Sequence, residues 1–243
     1  MTLRAVQERS LGDQVFDQLA AEILSERYAA GASLPAERTL AEIFRVNRHV
    51  VREALKRLEQ LGLISTSRSG GAEVSDFKRR AGLEVLAMMA EHAHGEEITK
   101  YLLSVLEMRA LIGADVVRLC AQRAAGEVRE ALVQIAASMR SATTDEALFD
   151  LEVRFWERLL QGADNIAYRL AFNSLLKGAY ATGSLATQWS LSEIRDSDFR
   201  GPLAAAIAAG KADEAEAMTR TLMRRAIEAL GEAVRAGRSP ART

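Results

Sequence analysis

Three observations on the chain predict a mainly α fold in two parts. Apolar residues recur at helical spacing over most of its 243 residues, and strand-like alternation is confined to one stretch around Ser69-Gly70-Gly71. Only three prolines, Pro35, Pro202 and Pro240, are present to interrupt helices. The chain is 49% hydrophobic, 27% charged and 5% aromatic, a composition able to bury a core, and its length suits two domains.

The elements follow in order. A first helix is predicted from about Ser10 to Arg27, because Val15, Phe16, Leu19, Ala20, Ile23 and Leu24 share one face while Asp13, Asp17 and Glu22 keep the other wet. Gly31 and Pro35 end that region. A short helix is expected over 36–44, with Glu37 in its first turn where the helix dipole favours an acid. Asn47 is the candidate N-cap of a third helix, which Gly62 closes as a C′ glycine. Its apolar stripe is Val51, Ala54, Leu55, Leu58 and Leu61; Arg48, His49, Arg52 and Lys56 fall outside it. Residues 63–74 read as a hairpin. Two helices across a tight turn, followed by a hairpin, make a winged helix-turn-helix, in which the second helix enters the DNA major groove.

Net charge over the whole chain is −1 and carries no nucleic-acid signal, but its distribution does. Residues 1–80 hold 13 Lys and Arg against 11 Asp and Glu, and 45–57 hold five basic residues against Glu53 alone. That cluster lies at the start of the predicted groove-facing helix. The expected domains are 1–75 for DNA binding, a polar linker over 76–82, and an all-helical bundle of about seven helices over 83–243, near 83–93, 96–125, 127–141, 144–161, 164–183, 191–209 and 211–236. Gly126, Gly162, Gly183 and Gly210 sit at or near helix ends, and Thr144 and Asp164 are candidate N-caps.

The first ten residues lack the apolar core of a signal peptide, and the apolar run Leu203–Ala209 is far short of the roughly 20 residues that span a bilayer. A cytoplasmic chain without membrane contact is expected. Cys120, the single cysteine, cannot form an internal disulfide and reads as a small buried hydrophobe.

Leu34-Pro-Ala-Glu-Arg-Thr-Leu-Ala-Glu42 and Val46-Asn-Arg-His-Val-Val-Arg-Glu-Ala-Leu-Lys-Arg-Leu-Glu-Gln-Leu-Gly-Leu63 closely resemble the signature of the GntR regulators. Residues 107–124, 162–168 and 206–215 are similar in pattern to the effector domain of the FadR branch of that family. The resemblance implies a DNA-binding regulator. By it, Arg38 opens the second helix at the DNA, and Arg48 and Arg52, one turn apart, are base-reading arginines. An Arg fork pairs bidentately with guanine O6 and N7. Asn47 and His49 stand where backbone-contacting Ser or Thr is usual, and Arg68, Ser69 and Gly70 form the wing tip. Arg45 replaces a helix-ending glycine, adding charge near the phosphates at some cost in left-handed backbone. Lys56 and Arg57 are expected on phosphates.

Many members of the branch hold a divalent metal through a carboxylate and three histidines. The positions matching the histidines are Trp156, Arg200 and Leu222, and the chain's histidines are His49, His92 and His94. No metal and no other cofactor is therefore expected. This draws the chain toward the metal-free, fatty-acid-responsive type, which it also resembles in Gly82-Leu-Glu-Val-Leu86 and Leu176-Lys-Gly-Ala-Tyr180. The implied effector is a small anionic or amphipathic molecule, acyl-CoA or carboxylate, held by Arg109, Trp156, Asn173, Lys177 and Tyr180. For Arg109 a structural salt bridge, and for Trp156 a plain core role, are the competing readings. Asn173, Lys177 and Tyr180 follow i, i+4, i+7 and share a helix face.

A homodimer on a pseudo-palindromic double-stranded operator is expected, because one helix and one wing read too few base pairs to single out a site. Two rival classes fit the sequence less well. A helical enzyme processing acyl-CoA or carboxylates lacks support, with no G-x-S-x-G, Gly-rich phosphate loop or H-E-x-x-H present. An effector-free architectural DNA binder has no use for so large a second domain.

Overall fold

Ser10 opens helix α1 (Leu11–Leu24) by accepting the Asp13 amide at 3.1 Å on its side chain. The helix ends three residues before the expected Arg27, because the Ser25 hydroxyl bonds back to the Ala21 carbonyl at 2.7 Å and Glu26 turns left-handed at φ 56°. Helices α2 (Glu37–Phe44) and α3 (Arg48–Gln60) follow, and strands β1 (Ile64–Thr66) and β2 (Ala72–Val74) pair antiparallel with Ile64 opposite Val74. The computed structural model describes residues 10–67, 71–92, 95–181 and 199–235. They divide into two compact units, residues 1–92 and 93–243.

In the first unit, Leu19 and Ile23 of α1, Val51, Leu55 and Leu58 of α3, and Leu63 and Ile64 at the wing's root form one buried core. Burying each such side chain contributes about 1.5–3 kcal/mol. Gly62 sits at φ 72°, and a Cβ there would press on the Arg80 carbonyl at 3.1 Å, so glycine suits both the turn and the close approach. The stretch before Pro35, read from sequence only as a break, also pairs with β2. The Leu34 amide donates to Ala72 O at 2.8 Å and the Val74 amide to Ala32 O at 2.9 Å.

Residues 76–82, expected as a polar linker, fold onto this unit. Phe77 opens the short helix α4 (Phe77–Arg80) and is buried in the first core, as is Val85, with Met88 and Met89 of α5 (Leu86–His92) packed against it. Apolar side chains at 77, 85, 88 and 89 carry the segment inward, whereas the reading as a linker weighed the three basic residues between them.

The second unit is built around α6 (Gly95–Arg123), 29 residues long, with α7 (Gly126–Ser141), α8 (Asp145–Ala163), α9 (Ile166–Ala181), α10 (Arg200–Ala208) and α11 (Ala212–Arg235). Helices α8 and α11 pack on α6, and α7 packs on α8 and α10. Gly162 is the penultimate residue of α8, near its end as expected; a Cβ there would meet Cys120 Sγ at 2.5 Å and Ala124 Cβ at 2.9 Å, so α8 and α6 approach closely at that point. Thr144 caps α8 by accepting the Ala147 amide at 3.2 Å. Asp164 instead ends α8 in the left-handed region at φ 48°, and Asn165 takes over the capping of α9, accepting the Ala167 amide at 3.0 Å. Two residues suffice for the connection, one to stop a helix and one to start the next. Gly183 and the first half of the helix expected over 191–209 lie outside the described residues.

Candidate nucleic-acid interface and helical-domain site

The groove-facing helix is positioned by its own first residues. Arg45 ends α2 left-handed at φ 54° and ψ 43°, in place of the glycine such a corner favours. Two residues later Asn47 caps α3 by accepting the Val50 amide at 3.0 Å. With Val51, Ala54, Leu55 and Leu58 buried, Arg48, His49, Arg52 and Lys56 are left exposed, together with Arg38 of α2, Arg45 just after it and Asn47 itself. Every predicted DNA contact within the described residues is thus accessible to solvent. Arg68, Ser69 and Gly70 lie outside the described residues.

The basic face carries acidic partners that sequence reasoning did not pair. Arg52 donates from Nε to Glu37 Oε1 at 3.2 Å and from Nη2 to Glu37 Oε2 at 2.9 Å, joining α3 to the first turn of α2. The Arg52 guanidinium, helped by Arg48, holds the Glu37 carboxyl below the usual carboxylate range. Lys56 pairs with Glu53 at 2.8 Å, and Arg38 lies 4.0 Å from Glu42. Arg57, expected on phosphates, reaches α1: Nη1 donates to Asp13 Oδ1 at 2.7 Å and its guanidinium lies 4.1 Å over the Phe16 ring. The i,i+3 and i,i+4 pairs were legible as spacings. The Glu37–Arg52 and Asp13–Arg57 pairs span 15 and 44 residues and were not.

In the second unit, Trp156 is buried in the core, its ring stacked 6.4 Å from that of Phe172. Its indole Nε1 donates to Glu152 Oε1 at 2.8 Å. The same carboxylate takes two bonds from Arg200, Nε to Oε2 at 2.9 Å and Nη2 to Oε1. Arg200 is 1% exposed and Glu152 6%, so this is a buried, doubly bonded ion pair between α8 and the first residue of α10. Leu222, the third position matching a metal-binding histidine, is also buried. A guanidinium already neutralises the carboxylate, and an indole and an isobutyl group stand where imidazoles are required, so these residues do not fit a divalent metal. Glu152 was missed from sequence, although a carboxylate in the apolar stripe of Leu148, Phe155 and Leu159 was a usable signal.

Arg109 is half-buried on α6. Asn173 and Lys177 are exposed, because α9 turns Ala171, Phe172 and Tyr168 toward the core and these two away from it. Tyr180 belongs to α9, with its side chain outside the described residues. Asn173 and Lys177 are thus at the surface, whereas Trp156 is buried.

Residues 11–74 match the family described as bacterial regulatory proteins, gntR family, and residues 104–225 match the FCD domain. The chain is 35% identical over 215 residues to the HTH-type transcriptional regulator Mce2R of Mycobacterium tuberculosis, covering 86% of this chain and 87% of that protein. It is 30% identical over 164 residues to the fatty acid metabolism regulator protein of Edwardsiella ictaluri, covering 68% and 66%. Among solved structures, one titled "Lar controls the expression of the Listeria monocytogenes agr system and mediates virulence" shares the fold, with a TM-score of 0.60 at 17% identity over 93% of this chain and 99% of that one. With a capped basic helix and a wing in one unit and a helical bundle in the other, the chain belongs to the gntR family of bacterial regulatory proteins and is a DNA-binding transcriptional regulator with an FCD domain, not an enzyme.

Proposed function

We propose that this regulator acts in the cytoplasm as a homodimer on a pseudo-palindromic operator, and that a small anionic metabolite, an acyl-CoA or a carboxylate, changes its affinity for DNA. The observation that carries the DNA half is the exposed basic start of α3, where Asn47 caps the helix and Arg48 and Arg52 stand one turn apart. Arg48 and Arg52 read guanines; Arg38, Arg45, Asn47, His49 and Lys56 contact backbone; the wing tip Arg68-Ser69-Gly70 enters the minor groove. Each recognition helix covers one half-site, and twofold pairing supplies the second.

Arg109 on α6 is the anion anchor of the effector site in this reading, supported by the likeness to fatty acid metabolism regulators. Trp156 is assigned to the core, and Asn173, Lys177 and Tyr180 of α9 are the remaining candidate contacts. The chain passes from α5, the last element of the first unit, into the second, and effector binding changes the spacing of the two α3 helices in the dimer. A coupling of about 1–3 kcal/mol is enough for a 5- to 150-fold change in DNA affinity.

The test begins with a duplex selected from a randomised pool by the full-length protein. Arg48→Ala and Arg52→Ala are each expected to cost roughly 1–3 kcal/mol on it and to relax sequence preference. Light scattering should give twice the 26.5 kDa of one chain. Calorimetry of acyl-CoAs and carboxylates, with and without EDTA, should show binding insensitive to EDTA and weakened in Arg109→Ala. Specific binding by a monomer, retained discrimination in Arg52→Ala, or a bound ligand without effect on DNA affinity would each overturn the corresponding part.

A further inference from the structure

An acid at a DNA-facing surface is electrostatically unfavourable, since it repels the phosphates that the neighbouring arginines attract. Glu37 is such an acid. It lies in the first turn of α2, one residue before Arg38, and its side chain is 30% exposed. Both of its oxygens are engaged by Arg52, whose own side chain is 56% exposed. Arg48, one turn earlier on α3, is close enough to help Arg52 keep the Glu37 carboxylate ionised.

The geometry of the pair is specific. A guanidinium carries five N–H donors in a planar fork. Glu37 takes the side edge, Nε and one hydrogen of Nη2. The end edge, Nη1 and the remaining hydrogen of Nη2, stays available. That end edge is the one a bidentate pair with guanine O6 and N7 can use. A flexible arginine loses rotamer freedom when it docks on a base, and a carboxylate that already holds it removes part of that cost.

We propose that Glu37 is a positioning residue for DNA reading: it presents the end edge of Arg52 to the major groove, trading non-specific phosphate attraction for discrimination between bases. This rests on the assignment of Arg52 as a base reader. The pair also ties the first turn of α2 to α3, so the two helices of the motif present Arg38, Arg48 and Arg52 in one fixed arrangement. Removing the charge of Glu37 frees Arg52 to contact any nearby phosphate, which favours all sequences alike.

The experiment uses the full-length protein, the duplex selected from a randomised pool, copies of it with each base pair changed in turn, and an unrelated duplex. Wild type, Glu37→Gln, Glu37→Asp, Arg52→Ala and the double variant Glu37→Gln/Arg52→Ala are compared by fluorescence anisotropy over a salt series. Glu37→Gln should lose about 3- to 10-fold of its discrimination, at the same base pair that Arg52→Ala affects. Its affinity for the unrelated duplex should rise, with a steeper salt dependence. Glu37→Asp should recover part of the discrimination, and the double variant should discriminate no worse than Arg52→Ala alone. If Arg52→Ala loses discrimination while Glu37→Gln keeps it, the positioning role is wrong and the reading of Arg52 stands. If Arg52→Ala itself keeps discrimination, the reading of Arg52 fails, and this inference with it. A uniform loss of affinity in Glu37→Gln for every duplex, together with a lower melting temperature, makes Glu37 structural only and overturns the proposal.

Discussion

At the scale of single residues, the second unit is governed by what burial does to polar groups. Arg200 and Glu152 are stable in the core only together, because each satisfies the other's charge and the Trp156 indole fills a further acceptor site. Arg200→Ala leaves the Glu152 carboxylate without its counter-ion, and urea denaturation should show a loss of about 3–5 kcal/mol. Replacing the pair by Leu and Met together should cost much less, since two apolar side chains of similar volume need no partner. Cys120 obeys the same physics with the opposite outcome. Burial pushes its thiol up to about 12 against the opposing influence of Arg129, so at neutral pH almost no thiolate forms. Native protein should remain unlabelled by a thiol-disulfide reagent, and one equivalent should react once the chain is unfolded.

At the scale of elements, ends matter more than middles. Asn47 accepts an amide that α3 otherwise leaves orphaned, and it does so at the point where the helix presents its arginines. Asn47→Ala should cost about 1 kcal/mol of stability. It should also weaken specific DNA binding, readable by denaturation and by anisotropy on the same preparation. Arg129 does comparable work at two helix ends at once. It donates to the carbonyls of Ala121 and Ala124 near the end of α6 and of Ala208 at the end of α10. Arg129→Ala orphans these acceptors, and a loss of about 1–3 kcal/mol is expected in chemical denaturation.

For the whole molecule, the consequence is a helical domain whose core holds the Arg200–Glu152 ion pair at positions that do not suit a divalent metal. A ligand stabilises a fold by mass action only if the native state binds it. Stripping divalent cations with EDTA should therefore leave the melting temperature of the full-length chain unchanged, and added zinc or nickel should not raise it. A fall in melting temperature with EDTA, recovered by one added metal, would contradict the reading of Glu152 and Arg200. Among the described residues no helix is long and apolar enough to cross a membrane, which agrees with the short apolar runs of the sequence.

The chain's order determined a good deal unaided. Helix periodicity, the caps at Asn47 and Thr144, the turn at Gly62 and the basic start of α3 all depend on residues within about four positions of one another, and each is legible in the sequence alone. The match to a family signature in residues 34–63 supplied the identity of the groove-facing helix. Tertiary structure decided the rest. Which carboxylate holds Arg52, which acid and ring engage Arg57, and which cation meets Glu152 are contacts across 15, 44 and 48 residues. No spacing rule foretells them. The segment after the wing was misread for the same reason, since its polarity is local while the core that receives Phe77 and Val85 is assembled from α1, α3 and the wing. Local sequence sets what each segment tends to form, but a charge finds its partner only after packing has brought distant segments together.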